Sequence, residues 1–99
     1  HAMSYGLGYV LGIKHGIGNC LVFQYLEEFY PQGVVLFNKM LTKHQIVLPT
    51  GICSKLSESE MDTMICVAMG MEPLWENALG ENWRSLITAE KLKAIYQKI

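Results

Sequence analysis

Glycine and proline residues divide this sequence into short segments, and this division constrains its fold more than any other feature. The 99 residues include 9 Gly and 3 Pro. β-Branched residues flanked by turn residues occur together only at 45–51, where Pro49 and Gly51 interrupt a strand at once. We interpret that stretch as a loop with an extended part. The sequence therefore predicts an all-α fold, a compact bundle of about five to six short helices.

Capping residues and breaks give the approximate ends of these helices. Ser57 and Glu60 have the spacing of a capping box, and Gly70 suits the position just past the end of the helix that follows. Pro31 prevents the second helix from continuing, and Thr88 caps the last one. The predicted helices span about 1–10, 18–29, 33–44, 58–69, 73–79 and 89–99. Their predicted core residues are Met61, Met64, Ile65 and Ala68 in the fourth helix and Leu92, Ile95, Tyr96 and Ile99 in the last.

Length, charge and cysteine spacing exclude several classes of protein. A chain of 99 residues forms a single domain, 1–99, and the formal net charge of -1 with no basic block argues against nucleic-acid binding. Cys20, Cys53 and Cys66 are widely spaced, which indicates neither a disulfide framework nor a zinc ribbon. No apolar stretch has the length of a membrane span. We expect a soluble protein of the reducing cytoplasm.

The apolar content is high for a domain of this size. AVILMFWYC residues make up 51% of the chain. The share is about 55% when Gly is counted in place of Tyr, against the usual 45–50%. A small domain buries only part of its surface, so we expect the excess to cover another surface.

Two other patterns have plain structural interpretations. Gly6, Gly8 and Gly12 resemble a dinucleotide fingerprint only loosely, because their spacing differs and no strand precedes them. They are better explained by close helix packing and a bend. The six methionines are interpreted as core filling rather than as a soft-metal surface.

His1 and His15 are the most informative polar residues. On one continuous helix they would lie about 21 Å apart and would not share a metal. A helix to about Val10 followed by an extended return of about five residues would bring them together, and Gly12 makes such a reversal sterically easy. From spacing alone, convergence on a metal and two unrelated helix-terminal histidines both remain open. His44 is interpreted as a partner of the dipole at a helix C-terminus.

The segments His1-Ala2-Met3-Ser4 and His15-Gly16-Ile17-Gly18-Asn19 resemble the iron-containing alcohol dehydrogenase family, whose helical domain carries His-x-Met-x-His and then His-Gly-x-x-Asn at this interval. The resemblance implies that His1 and His15 are two metal ligands, with an Asp and a further His supplied from outside this sequence. Where the family often has its second histidine, this sequence has Tyr5, a position that faces the substrate pocket. Four further segments resemble the branch of this family that includes 3-deoxy-D-manno-octulosonate 8-oxidase. They are 12–16, 26–31, 46–49 and 77–81.

The same resemblance implies a function. The chain would be the C-terminal lobe of a two-domain enzyme, and the N-terminal nucleotide-binding lobe, its partner, would bind most of the NAD or NADP. A divalent metal, Fe²⁺ or Zn²⁺, would lower the pKa of a primary hydroxyl of a small alcohol or sugar acid, such as the 8-hydroxyl of 3-deoxy-D-manno-octulosonate, while a hydride moves to NAD(P)⁺. A homo-oligomer is expected. The 99 residues alone would be inactive and would bind metal weakly.

One alternative from a different class is a stand-alone helical protein-interaction module without catalytic activity. Its apolar excess would form an oligomer interface, and His1-Ala2-Met3 would be a remnant of cloning. A self-contained structural metal site of His1, His15 and a cysteine is a weaker alternative, because such sites need four ligands at suitable intervals.

Overall fold

The computed structural model describes residues 1–99 and contains seven α-helices and no strand. The all-α prediction is confirmed. The helix count exceeds the predicted five to six because the four-residue helix α6 was not predicted from the sequence. In chain order the helices are α1 (Ala2–Leu11), α2 (His15–Phe23), α3 (Pro31–Lys43), α4 (Glu58–Met69), α5 (Glu72–Leu79), α6 (Trp83–Leu86) and α7 (Ala89–Lys98).

The predicted caps of α4 and α7 are present. The backbone N–H of Glu60 donates to Ser57 Oγ at 3.1 Å, and the backbone N–H of Ser57 donates to Glu60 Oε1 at 3.2 Å, which completes the capping box. Thr88 Oγ1 accepts from the backbone N–H of Lys91 at 3.2 Å. Gly70 follows α4 as predicted, but it keeps a right-handed conformation with φ −70°, so this helix ends without a left-handed residue.

The second predicted helix is shifted, since α2 begins three residues earlier and ends at Phe23 rather than near Phe29. Beyond α2 the chain forms tight turns, in which the N–H of Leu26 donates to Phe23 O at 3.1 Å and the N–H of Tyr30 donates to Leu26 O at 2.9 Å. These turns place Leu26 and Phe29 against the core. Tertiary packing thus overrides a locally helical sequence, and Pro31 then starts α3 at a position where its missing N–H is not needed.

A single hydrophobic core lies between α1, α4 and α7. All four predicted core residues of α4 are buried, and so are the four predicted for α7 and its end. Met3, Met61 and Met64 belong to this core, which supports core filling for those three methionines. The core residues are Ala2, Met3, Leu7, Leu21, Val22, Cys53, Met61, Met64, Ile65, Ala68, Trp75, Trp83, Ile87, Leu92, Ile95, Tyr96 and Ile99.

Gly6 allows α1 to approach its neighbours closely. A Cβ atom at Gly6 would lie 2.6 Å from the hydroxyl oxygen of Tyr96 and 2.7 Å from the backbone oxygen of Met64. The Tyr96 hydroxyl donates a hydrogen bond to the backbone oxygen of Met3 at 2.6 Å. Gly12 ends α1 with φ 68°, a left-handed conformation that turns the chain toward α2. These contacts agree with close packing and a bend as the role of the glycine pattern.

The second half of the chain adds a pair of stacked tryptophans. The rings of Trp75 and Trp83 have centroids 5.8 Å apart and planes inclined by 12°. Trp75 Nε1 donates to the backbone oxygen of Ala68 at 2.7 Å, which ties α5 to α4. None of the helices combines the length and apolar character needed to cross a membrane.

Candidate metal centre

His1 and His15 lie side by side on the surface. His1 precedes α1 and His15 is the first residue of α2, and Gly12 between the helices reverses the chain direction. His1 Nδ1 lies 3.1 Å from His15 Nε2, and the ring centroids are 5.2 Å apart. Both residues are exposed. The structure therefore brings together the two histidines that the sequence singled out, by a reversal at Gly12 whose connecting segment is only 12–14, shorter than the expected extended return of about five residues.

The separation of the two nitrogens fits two ligands of one metal ion. With metal–nitrogen bonds of 2.0–2.1 Å, the nitrogens lie about 3.3 Å apart at a tetrahedral angle and about 2.9 Å apart at a right angle. The 3.1 Å between His1 Nδ1 and His15 Nε2 falls between these values. The same distance also suits a hydrogen bond between the two rings when one of the nitrogens carries a proton.

Ser4 lies beneath His15 and contacts it twice. Ser4 Oγ is 3.0 Å from His15 Nδ1, and it donates to the backbone oxygen of His15, also at 3.0 Å. The Ser4 residue is only 1% exposed. The ring of His15 is thus held at the nitrogen opposite to the one that faces His1.

Tyr5, for which the resemblance predicts a place in the substrate pocket, lies beside the histidine pair. Its ring centroid is 4.8 Å from that of His15, and 44% of the residue is exposed. Tyr5 and His15 line a small cleft of about 270 Å³, whose other walls include Tyr9 and Met71. This position allows contact with a molecule bound at the histidines.

A larger cleft of about 610 Å³ begins at His1. Of its 19 lining residues 16 are hydrophobic, and they include Phe23, Leu26 and Leu79. Asn19, another residue of the His-Gly segment, also lines it, and its buried Oδ1 atom has no hydrogen-bond partner. The histidine pair therefore lies between a large apolar cleft and a small one.

No group of three or more His, Cys, Asp or Glu side chains with metal-binding geometry is found in the chain. Cys20 lines the large cleft together with His1, yet it forms no such group with the two histidines. The chain thus offers two imidazoles, half of the four ligands of a tetrahedral site. For the alternative of a self-contained site made of His1, His15 and a cysteine, the structure shows no third ligand beside the two histidines.

The remaining polar candidates lie elsewhere. His44 follows the last residue of α3, as expected for a residue at a helix C-terminus. Glu27 and Glu28 are exposed, and Glu28 pairs with Lys91 Nζ at 3.2 Å. None of these residues lines either cleft.

Sequence reasoning missed Ser4 and the buried oxygen of Asn19. Ser4 stands inside the first histidine segment, but its spacing from His15 carries no signal of contact. Their contact depends on how α1 packs on α2. Gly18 is the one clue, because a Cβ atom there would lie 2.6 Å from Ser4 Oγ.

A comparison with models of known protein families finds no match for this chain. The resemblance of the two histidine segments to the iron-containing alcohol dehydrogenases thus stays a prediction.

Proposed function

We propose that this chain is the C-terminal helical lobe of a metal-dependent, NAD(P)-linked alcohol dehydrogenase of the iron-containing type. His1 and His15 would provide two of the ligands of Fe²⁺ or Zn²⁺, and neutral imidazole suits either ion. The observation that carries the proposal is the 3.1 Å separation of His1 Nδ1 and His15 Nε2, which matches the spacing of two ligands on one ion. An Asp and a His from the preceding lobe would complete the site.

The clefts beside the histidines support this proposal. An apolar cleft of about 610 Å³ that starts at a ligand residue suits a surface that packs against a second lobe. Exposed apolar residues elsewhere, such as Leu36 at 66% and Val47 at 90%, agree with the excess of apolar residues in the sequence. We propose that the N-terminal nucleotide-binding lobe packs against the large apolar cleft.

The residues of this lobe have distinct tasks in the proposed reaction. When bound, the divalent ion supplies Lewis-acid chemistry that makes an alcohol hydroxyl easier to deprotonate, and NAD(P)⁺ accepts the hydride. His1 and His15 hold the ion at the edge of the lobe. Tyr5, whose ring lies against His15, orients the carbon chain of the alcohol at this edge. The apolar walls of the large cleft exclude water from one side.

The proposal also covers the substrate, the cellular location and the oligomeric state. The substrate is a small primary alcohol or a sugar acid such as 3-deoxy-D-manno-octulosonate, oxidised at its 8-hydroxyl. Cys20, Cys53 and Cys66 are free thiols in the structure, in agreement with a reducing, cytoplasmic location. The complete enzyme is proposed to be a homo-oligomer.

Metal titration of the 99-residue chain tests the ligand assignment. We expect Co²⁺ or Zn²⁺ to bind weakly, with at most one ion per chain, and we expect His1→Ala or His15→Ala to abolish this binding. His44→Ala, which removes the third histidine of the chain, is the matched control and should bind as the unchanged protein does. Binding that survives both His1→Ala and His15→Ala would contradict the ligand assignment.

Activity measurements test the enzyme class. The isolated 99 residues should show no NAD(P)-dependent alcohol oxidation, because the cofactor site and two ligands lie outside them. In a longer chain that contains the preceding lobe, oxidation should be present, and His15→Ala should remove both the metal and the activity. A longer chain that oxidises alcohols equally well after that change would disprove the proposed mechanism.

A second candidate function is a helical protein-interaction module. The exposed apolar residues of α3, namely Val35, Leu36 and Met40, favour it. Intact mass and metal analysis of the protein from its native source distinguish the two candidates. A mass of 11.2 kDa without metal supports the module. A larger mass with one divalent ion per chain supports the dehydrogenase.

A further inference from the structure

We infer that Ser4 is a positioning residue that fixes the tautomer of His15, with the proton on Nδ1 and a free lone pair on Nε2. The value of this arrangement for metal binding rests on the proposed function. The tautomer itself is a property of the folded chain and is measured without metal. Ser4 thus prepares the His15 nitrogen that faces His1 to act as a ligand.

The hydrogen bonds of Ser4 determine which tautomer is favoured. A hydroxyl group has one proton to donate, and Ser4 Oγ donates it to the backbone oxygen of His15 at 3.0 Å. Ser4 Oγ can then only accept at its second contact, His15 Nδ1, also at 3.0 Å. Nδ1 must therefore carry the proton, because two acceptors would otherwise face each other at a part-buried contact. In neutral imidazole this leaves Nε2 unprotonated.

Burial and packing hold Ser4 in this position. Ser4 is 1% exposed, so water cannot reach its hydroxyl group to replace the contacts with His15. Gly18 of α2 packs against the hydroxyl, since a Cβ atom there would lie 2.6 Å from Ser4 Oγ and 3.4 Å from Ser4 Cβ. A side chain at Gly18 would therefore displace the hydroxyl group. The Ser4–Gly18 contact couples the geometry of the α1–α2 pair to the ring of His15.

The tautomer of His15 also determines where the proton of His1 lies. With Nε2 of His15 unprotonated, His1 Nδ1 carries the proton of a hydrogen bond across the 3.1 Å gap. A metal ion held by both rings would take the place of this hydrogen bond, and the proton of neutral His1 would then be on Nε2. Histidines that bind a metal through one ring nitrogen commonly donate the N–H of the other to a fixed acceptor. Loss of that acceptor lowers metal affinity about 10–100-fold.

The test is the tautomer of His15, measured by NMR on the metal-free 99-residue chain with ¹⁵N-labelled histidine at about pH 8, where an ordinary imidazole is neutral. We expect His15 to show a protonated Nδ1 and an unprotonated Nε2. Exposed His44 provides a reference within the same molecule. Ser4→Ala should produce a mixture of tautomers at His15. The affinity of the chain for Zn²⁺ should fall about 10–100-fold in this variant.

Three further variants separate this role from a general loss of structure. Gly18→Ala should change the His15 tautomer as Ser4→Ala does, whereas Gly16→Ala, in the same helix but with open space around its Cβ position, should not. Tyr96→Phe removes a buried hydrogen bond to Met3, next to Ser4 in α1, and should leave the His15 tautomer unchanged.

The possible outcomes test the role of Ser4 and the proposed metal site separately. An unprotonated Nδ1 of His15 in the unchanged protein overturns the inference, and so does a single Nδ1–H tautomer that persists in folded Ser4→Ala. If the tautomer and its loss are as expected but neither Zn²⁺ nor Co²⁺ binds, the Ser4–His15 arrangement stands and the proposed metal site fails. If metal binds equally well with and without the Ser4 hydroxyl, the ligand assignment stands and the positioning role fails.

Discussion

Helices α1 and α3 are both rich in apolar residues, yet the molecule buries them very differently. Five residues of α1 are buried, among them Ser4 and Gly6, whereas Val34 is the only buried residue of α3. Gly6 lets the backbone of α1 approach that of α4, and α1 meets α7 at the Tyr96 hydroxyl, which donates to Met3 O. α3 leaves Val35 and Leu36 exposed. In this chain a more apolar sequence and a glycine that permits close backbone approach together place α1, and not α3, in the core.

The largest expected effect comes from filling the close contact of α1. In Gly6→Ala the new methyl group would overlap the Tyr96 hydroxyl and the backbone oxygen of Met64. Overpacking of this kind costs about 1–3 kcal/mol, and the better helix propensity of Ala offsets up to about 1 kcal/mol. We expect a net loss of about 2 kcal/mol in the free energy of unfolding, or about 10 °C in Tm by thermal denaturation.

Gly16→Ala is the control, because its Cβ position is open and the residue lies in α2. It should leave Tm unchanged or raise it slightly. Equal stability of Gly6→Ala and the unchanged protein would mean that α1 has no tighter packing than α3, and the contrast between the two helices would be lost.

A smaller effect is expected for Tyr96→Phe, which removes the hydroxyl that donates to Met3 O. Loss of this hydrogen bond should lower the free energy of unfolding by about 1 kcal/mol at neutral pH. Denaturant unfolding measures the change. Tyr9→Phe, at a Tyr of α1 that is 72% exposed, should change it by less than about 0.5 kcal/mol. A larger effect at Tyr9 than at Tyr96 would contradict the assignment of the buried contact.

Because the Tyr96 hydroxyl is buried, we also expect the stability of the fold to fall at alkaline pH. Burial, and then the charge of Cys53, raise the pKa of Tyr96 well above its usual value, and burial raises the pKa of the Cys53 thiol. The folded chain therefore keeps protons that the unfolded chain releases. This stability is fully present below the unfolded pKa values of about 8.5 for Cys and about 10 for Tyr, and it falls as pH rises above them.

Each such group contributes a slope of up to about 1.4 kcal/mol per pH unit. Denaturant unfolding at a series of pH values should show a shallower decline above about pH 10 for Tyr96→Phe than for the unchanged protein. Parallel curves for the two proteins would show that the Tyr96 hydroxyl ionises as freely in the folded chain as in the unfolded one.

The smallest effect is expected in α3. Leu36 is 66% exposed, so Leu36→Gln should change the free energy of unfolding of the 99-residue chain by less than about 0.5 kcal/mol. Val34→Ala, the buried counterpart in the same helix, should lower it by about 1–2 kcal/mol. In a longer chain or an oligomer that covers α3, Leu36→Gln should become clearly destabilising. A large effect in the isolated chain would mean that α3 is already packed there.

Local signals explain which parts of the fold the sequence predicts well. The capping box of Ser57 and Glu60 satisfies backbone groups within one turn, so its residues suffice to place the start of α4. The core residues Met61, Met64, Ile65 and Ala68 follow from helical periodicity. The early end of α2 at Phe23 does not, because it depends on the packing of Leu26 and Phe29 against a core formed by distant residues.

The candidate site shows the same division between local and long-range information. Gly12 made the return of His15 toward His1 predictable as one of two alternatives, and the structure brings the rings together. The contact of Ser4 with His15 was not predictable, since it requires the relative rotation of α1 and α2 to be known. The family resemblance and the metal remain predictions that the titrations above address.

The stacked tryptophans have a practical consequence for these experiments. Trp75 and Trp83 are the two Trp residues of the chain, and their nearly parallel rings, with centroids 5.8 Å apart, bring two strong chromophores close together. Any paired band in circular dichroism that arises from coupling of their electronic transitions is lost when the rings separate. Neither ring belongs to the histidine pair, so this optical signal reports the folding of α5 and α6 in every variant, including those in which the metal ligands have been removed.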